Sequence, residues 1–318
     1  MREIMTVTGP IAPEALGFCQ CHEHIALSKG KSYDINPALC MDDMGKSLEE
    51  VKRYKSAGGN SFIEAQPCGC NRMAEALQKL SIKSGINIIS STGFHKLLFY
   101  PDKHWIHSAS VQELEEIFVQ EITAGMYTYA DHTYPSKQCD AKAGIIKTAY
   151  DTEGLSPRYE KLFRAAAMAS LRTDRIIMIH VEQNTNPILL QDFLLNLGVQ
   201  PENLMFCHMD RACKDMKTHG EVLKKGSYLE FDTIGRFKYH SDEHEIQIIQ
   251  SLVESGYENQ LLYSLDTTSE RLKAYNPEGV GLDYILTTFN NSLKSAGVSQ
   301  DIIHKISVEN PLHCLRGM

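Results

Sequence analysis

A chain of 318 residues, 42% hydrophobic, 23% charged and 8% aromatic, has the apolar content for a large core and too little net charge for a disordered polymer. Its formal charge of −8 argues against a generic nucleic-acid surface. No secretory signal and no run of bilayer-spanning length is expected, and nine cysteines without a small-domain framework read as reduced thiols of a cytoplasmic protein.

Short apolar runs recur along the chain, separated by longer amphipathic stretches. Strands are expected at Gly17–His22, Ser61–Ala65, Ile86–Ser90, Gly144–Ala149, Ile176–His180, Leu204–His208, Tyr228–Asp232 and Leu261–Ser264. They are mostly unbroken apolar residues, as in a parallel sheet covered on both faces. Between them, Ser47-Leu48-Glu49-Glu50 reads as a helix start, with Ser47 as N-cap and Glu50 in the reciprocal position. Val111–Ala124, Pro157–Leu171, Asn186–Leu197, Glu243–Ser255 and Leu282–Ala296 carry apolar residues three and four apart. Cys19-Gln-Cys21 and Cys68-Gly-Cys70 are C-x-C pairs rather than C-x2-C knuckles, and read as buried small hydrophobes.

Strand and helix alternating about eight times leave a barrel or a doubly wound sheet. No G-x-G-x-x-G opens a first helix, so the dinucleotide-binding sheet lacks its main signal. The expected fold is therefore α/β, a TIM-type (β/α)8 barrel in a single domain over residues 1–318, with the long third βα loop (Thr92–Ser110) as lid or pocket wall.

The reactive residues fall at the C-terminal ends of the expected strands. The first ends in Cys21-His22-Glu23-His24, and residues two apart on an extended segment share a side, so His22 and His24 can converge on one ion. The fourth ends near Lys147, the fifth at His180, the sixth at His208 and the eighth at Asp266. Singly, His180 and His208 read as core histidines, Asp266 as a cap for the following turn and Lys147 as a snorkelling lysine that cannot ligate as an ammonium. Together, on separate strands, the imidazoles and the carboxylate suit zinc or a similar divalent ion.

These segments carry a more specific resemblance, which runs essentially end to end. Gly17-Phe18 with His22-Glu23-His24, Ala143-Gly144-Ile145-Ile146-Lys147, Ile179-His180, Cys207-His208-Met209-Asp210, Phe231-Asp232-Thr233-Ile234-Gly235 and Ser264-Leu265-Asp266 resemble the phosphotriesterase family of the amidohydrolase superfamily. The resemblance implies two divalent metal ions, with zinc as default and manganese, cobalt or iron as alternatives. His22, His24 and Asp266 would hold the more buried ion, and His180 and His208 the more exposed one. In similar proteins the strand-four lysine is carboxylated and bridges the metals, which gives Lys147 its role.

By the same resemblance, a bridging hydroxide attacks a carbonyl or phosphoryl group, and Asp266 takes the proton. The expected substrate is a small molecule, a lactone or related ester. Phosphoester hydrolysis by the same site is the alternative, and a non-catalytic, metal-stabilised ligand-binding barrel is a further one. His95, Lys96 and Tyr100 in the third βα loop, with Arg236 and Lys238 after strand seven, are candidate substrate contacts. Similar enzymes acting on phosphorylated lactones carry an arginine soon after the strand-eight aspartate. Here that position holds Ser269, with Arg271 as a substitute from the next turn, so no phosphate is required of the substrate. No nucleic-acid or membrane partner is expected, and a homodimer is carried over from related proteins.

Overall fold

The computed structural model describes residues 3–213 and 215–316, so the two ends of the expected 1–318 domain lie outside the described residues. Eight strands form one sheet: β1 (Cys19–Glu23), β2 (Ser61–Glu64), β3 (Asn87–Gly93), β4 (Ala143–Tyr150), β5 (Ile177–Val181), β6 (Leu204–Cys207), β7 (Tyr228–Phe231) and β8 (Leu261–Tyr263). Every neighbouring pair is parallel and in chain order, with helical segments in the connections, which is the (β/α)8 barrel the strand pattern predicts. The eight runs read from the sequence all coincide with these strands.

The seam between β8 and β1 is closed largely by a side chain. Asp266 N donates to the His22 carbonyl at 3.0 Å. The buried Glu23 carboxylate accepts from Leu265 N at 2.9 Å and Thr267 N at 3.2 Å. Gln20 Nε2 donates to the same carboxylate at 2.6 Å. Burial is the main influence on Glu23 and raises its pKa to about 7, against the lowering effect of these bonds.

Alternation along the strands sorts the core into two layers. Ile63, Ile89, Ile145, Met178, Met205 and Leu262 pack together inside the barrel. Their neighbours Phe62, Ile88, Ile146, Ile179, Phe206 and Leu261 belong to the larger layer beneath the helices. Following the inner row upward by steps of two leads from Ile145 to Lys147, from Met178 to His180, and from Leu262 through Ser264 to Asp266. The reactive groups are thus the top of the barrel filling. β1 breaks register between Gln20 and Glu23, and beyond that irregularity His22 and His24 face the same centre. The C-x-C cysteines Cys19, Cys21, Cys68 and Cys70 are buried, as expected, and free.

Two local readings are corrected. Ser47 is not an N-cap: the helix starts earlier, at Met44–Ser56, capped by Asp43, whose carboxylate accepts from Gly45 N and Lys46 N at 3.0 and 3.1 Å. Ser47 is buried and donates to Ile25 O at 2.7 Å, while Glu50 accepts from Ala274 N and Leu282 N at 2.7 and 3.1 Å. The Ser-x-x-Glu spacing was real, but tertiary contacts use both side chains and leave the cap to an equally good acid. The expected helix Leu282–Ala296 begins as a π-helical segment (Ile285–Phe289) before continuing as α-helix over Asn290–Ser295.

The third βα loop is a wall built into the core. Strand β3 runs to Gly93, and beyond it Leu97, Phe99, Tyr100, Trp105 and Ile106 are all buried. Gly93 has a φ of +101°, and a Cβ there would collide with the Lys147 carbonyl oxygen. Gly93→Ala is therefore expected to destabilise the fold by about 3 kcal/mol or more, combining backbone strain with overpacking. Urea denaturation checks this, and a midpoint within error of wild type would contradict the β3–β4 contact.

Candidate metal centre and substrate cavity

Lys147, His22, His24, His180, His208 and Asp266 meet at the top of the barrel. Lys147 Nζ lies 3.1 Å from His22 Nε2 and 3.5 Å from Met178 Sδ. Asp266 Oδ1 is 3.7 Å from His22 Nε2 and 3.6 Å from His24 Nε2. His208 Nε2 and His180 Nδ1 are 2.7 Å apart. Two of these residues, His208 and Asp266, take left-handed backbone angles, with φ of +61° and +49°. Such angles cost a non-glycine residue of order 1–3 kcal/mol and persist where surrounding contacts impose them.

The opposite ring nitrogens are fixed by carboxylates. His24 Nδ1 lies 3.2 Å from Glu64 Oε1, His22 Nδ1 3.0 Å from Asp232 Oδ2, and His208 Nδ1 2.6 Å from Asp232 Oδ1. A carboxylate accepts only, so the hydrogen-bonded Nδ1 of His24 and of His208 carries the proton and the far nitrogen of each is left as a lone pair. This is how metal-ligating histidines are commonly oriented. Burial lowers His208 well below the usual imidazole range and brings His180 to about 3, so both are neutral and ready to ligate. Burial and the Lys147 charge depress His22 too, but Asp232 and Glu230 outweigh them and raise it to about 9.

Three observations fit a group that brings positive charge to this site and converts Lys147 to an anion. Lys147 is fully buried, and no carboxylate pairs with its Nζ within 4 Å among the described residues. An unpaired ammonium in that position is costly. His180 Nδ1 and His208 Nε2 converge to 2.7 Å, so the two rings point at one place and would part to about 3.3 Å around a tetrahedral divalent ion. His22, His24 and Asp266 form a second set whose ligand atoms lie within 4.8 Å of one another.

Above these residues is a cavity of about 320 Å³. Of the expected substrate contacts, His95, Lys96, Arg236 and Lys238 line it. Tyr100 does not. It is buried behind the wall, and its hydroxyl accepts from His95 N at 2.9 Å, so it sets the position of His95 instead of meeting a ligand. Arg271 is also outside: it is buried, lines a neighbouring depression and donates to Ile234 O at 2.6 Å, so it does not replace the residue that Ser269 lacks. Arg236 Nη1 donates to Asp266 Oδ2 at 2.8 Å. With His208 and His22, Arg236 holds Asp266 well below the carboxylate range despite the opposing effect of burial.

Sequence reasoning missed Glu182, Arg211 and Tyr239, all in the cavity lining. Glu182 binds Lys96 Nζ at 2.7 Å and faces His180 Nε2 at 3.3 Å. Tyr239 has Arg211, Arg236 and Lys238 at 5.3, 5.7 and 5.1 Å from its ring centroid. Glu182, Arg211 and Tyr239 lie one, four and eight residues past the ends of β5, β6 and β7, so the signal was the βα-loop position itself. Asp232 and Glu64, the histidine partners, also end strands, and alternation could have found them.

A (β/α)8 barrel with imidazoles, a carboxylate and a buried lysine converging at the strand ends is the framework of a metal-dependent hydrolase. The model of the Phosphotriesterase family matches residues 2–315, and the chain belongs to that family. It is 30% identical to the phospho-furanose lactonase of Mycoplasmopsis synoviae, over 98% of this chain and 90% of the relative. It is 31% identical to the phosphotriesterase homology protein of Escherichia coli, over 93% of this chain and 96% of that protein. The crystal structure of a lactonase from Listeria monocytogenes superposes with a TM-score of 0.89 at 28% identity, covering 100% of both chains.

Asp232→Asn keeps the shape of the group that faces both His22 and His208 but exchanges one of its two acceptor oxygens for an amide nitrogen that can only donate. Zinc affinity is expected to fall about 10–100-fold, read by competition with a chromophoric chelator. An unchanged affinity would mean the two rings are held by packing alone.

Proposed function

We propose that this protein is a two-metal hydrolase that opens a lactone or a related ester carrying an acidic substituent. The observation that carries the reading is the convergence of four histidines, Asp266 and an unpaired buried Lys147 beneath one polar cavity. The lactonases among its relatives support the same class.

His22, His24 and Asp266 would hold one ion, His180 and His208 the other, with Lys147 between them as an N-carboxylated lysine; zinc is the proposed ion. The carbamate would form when neutral Nζ adds to the carbon of carbon dioxide and releases one proton, leaving an anionic side chain. When bound, the two ions supply Lewis acidity to the substrate oxygen and lower the pKa of a water. Asp266, ionised at neutral pH, receives the proton of the attacking water, and Arg236 fixes the orientation of its carboxylate. His95, kept neutral mainly by burial, adds no charge to the wall facing the reacting group.

The acidic substituent follows from the charge of the lining. Lys96, Arg211, Arg236 and Lys238 face only Glu182 and Asp266 among carboxylates, and Glu182 is shared by Lys96 and Arg211. An anionic group on the substrate would complete that wall.

Metal analysis beside lactone hydrolysis on the same samples tests the assignment. Wild type grown with zinc and bicarbonate is expected to carry about two ions per chain and to hydrolyse lactones, with both properties lost in Lys147→Ala. A metal-free, inactive wild type would reject it. Arg211→Ala is expected to raise KM about tenfold for a lactone bearing a carboxylate or phosphate, while leaving a neutral lactone within about twofold. Equal effects on the two substrates would remove Arg211 from substrate recognition.

A further inference from the structure

A second cluster of ligand-type side chains lies off the cavity, between the loops that follow β6 and β7. Asp210 is in the short helix Met209–Ala212, His240 is in the loop after β7, and Glu245 is in the first turn of the helix Asp242–Glu254. One ligand atom from each lies within 4.8 Å of the others.

Glu245 is fully buried, and neither of its carboxylate oxygens has a hydrogen-bond partner. Its Oε2 points at His240 Nε2, 3.2 Å away, and Asp210 Oδ2 lies 4.0 Å from the same nitrogen. His240 Nδ1 is 3.1 Å from the Ser241 carbonyl, an acceptor, so that nitrogen holds a proton. The Thr233 hydroxyl is 2.9 Å from Nε2. Asp242, the next carboxylate, is satisfied by Gly235 N and the Tyr284 hydroxyl at 2.7 and 2.8 Å. No lysine or arginine pairs with Asp210 or Glu245 among the described residues. Asp210 accepts from Arg211 N at 2.8 Å and Thr233 N at 2.6 Å, whereas Glu245 has no donor, so the two buried carboxylates converge beside one imidazole with no cationic side chain paired to either among the described residues.

We propose that Asp210, His240 and Glu245 bind a divalent cation, with the Thr233 hydroxyl as a further oxygen donor, at a site distinct from the pair below the cavity. Two carboxylates, one imidazole and a hydroxyl suit Mn2+ or Zn2+. The Nδ1–H to carbonyl contact is the outer bond that commonly fixes a ligating histidine. The ion would fasten together the two loops that carry Arg211, Arg236, Lys238 and Tyr239. It satisfies Glu245 without the alternative, a proton shared between Glu245 and Asp210.

Crystals of the wild type soaked in manganese chloride, with diffraction collected near the manganese edge, test this. An anomalous peak between Asp210, His240 and Glu245 is expected, with a manganese content one equivalent higher than in Glu245→Gln after the same dialysis. No peak at the cluster, or equal manganese in the two proteins, would overturn the site and favour the shared proton. Should Glu245→Gln fail to fold, the wild-type anomalous map decides alone, and His240→Gln, at a less buried position, supplies the stoichiometry.

Discussion

The Asp232 carboxylate accepts from the ring of His208 and from the His208 amide at 2.6 and 3.0 Å, and lies in ion-pair contact with His22 Nδ1 at 3.0 Å. It is fully buried, and burial alone would raise its pKa; the His22 contact outweighs that and holds it below its ordinary value. Bonds to a charged group are worth about 1.5–3 kcal/mol each, and a buried carboxylate left without them is heavily penalised. The histidines of β1 and β6 are therefore locked in one orientation before any ligand arrives. Two rings aimed at a common point are the consequence, and the rest of the site depends on it.

A barrel of this kind has to place polar groups somewhere along its inner rows. Lower down, isoleucines, methionines and cysteines fill the interior; at the strand ends the same rows present Lys147, His180, Asp232 and Asp266. The seam beside them is closed by Glu23, so the side chain between the two ligand histidines of β1 is structural. Chemistry and closure occupy alternate positions of one five-residue strand. That arrangement explains why the strand is bulged: both His22 and His24 must face the centre while Glu23 reaches β8.

Much of the architecture was legible because a parallel barrel writes itself as unbroken apolar runs of similar length, and all eight were visible. The strand-end histidines were legible for the same reason, since their position and not their type set them apart. Ser47 shows where local signals fail: its spacing to Glu50 matched a cap, yet both side chains serve contacts with segments far along the chain. Tyr100 failed differently. A loop residue near the site was read as facing the ligand, but the loop folds into the core and turns Tyr100 behind His95. Arg211 and Glu182 were missed because a charged residue two or three positions past a strand-end histidine has no periodic signature.

Diffraction from crystals grown with zinc and bicarbonate, recorded on both sides of the zinc edge, tests the central claim most directly. Two anomalous peaks are expected, one among His22, His24 and Asp266 and one beside His180 and His208, with density for a carboxylate extending from Lys147 Nζ between them. An unmodified Lys147, or zinc absent from both positions at full occupancy of the protein, would contradict the account.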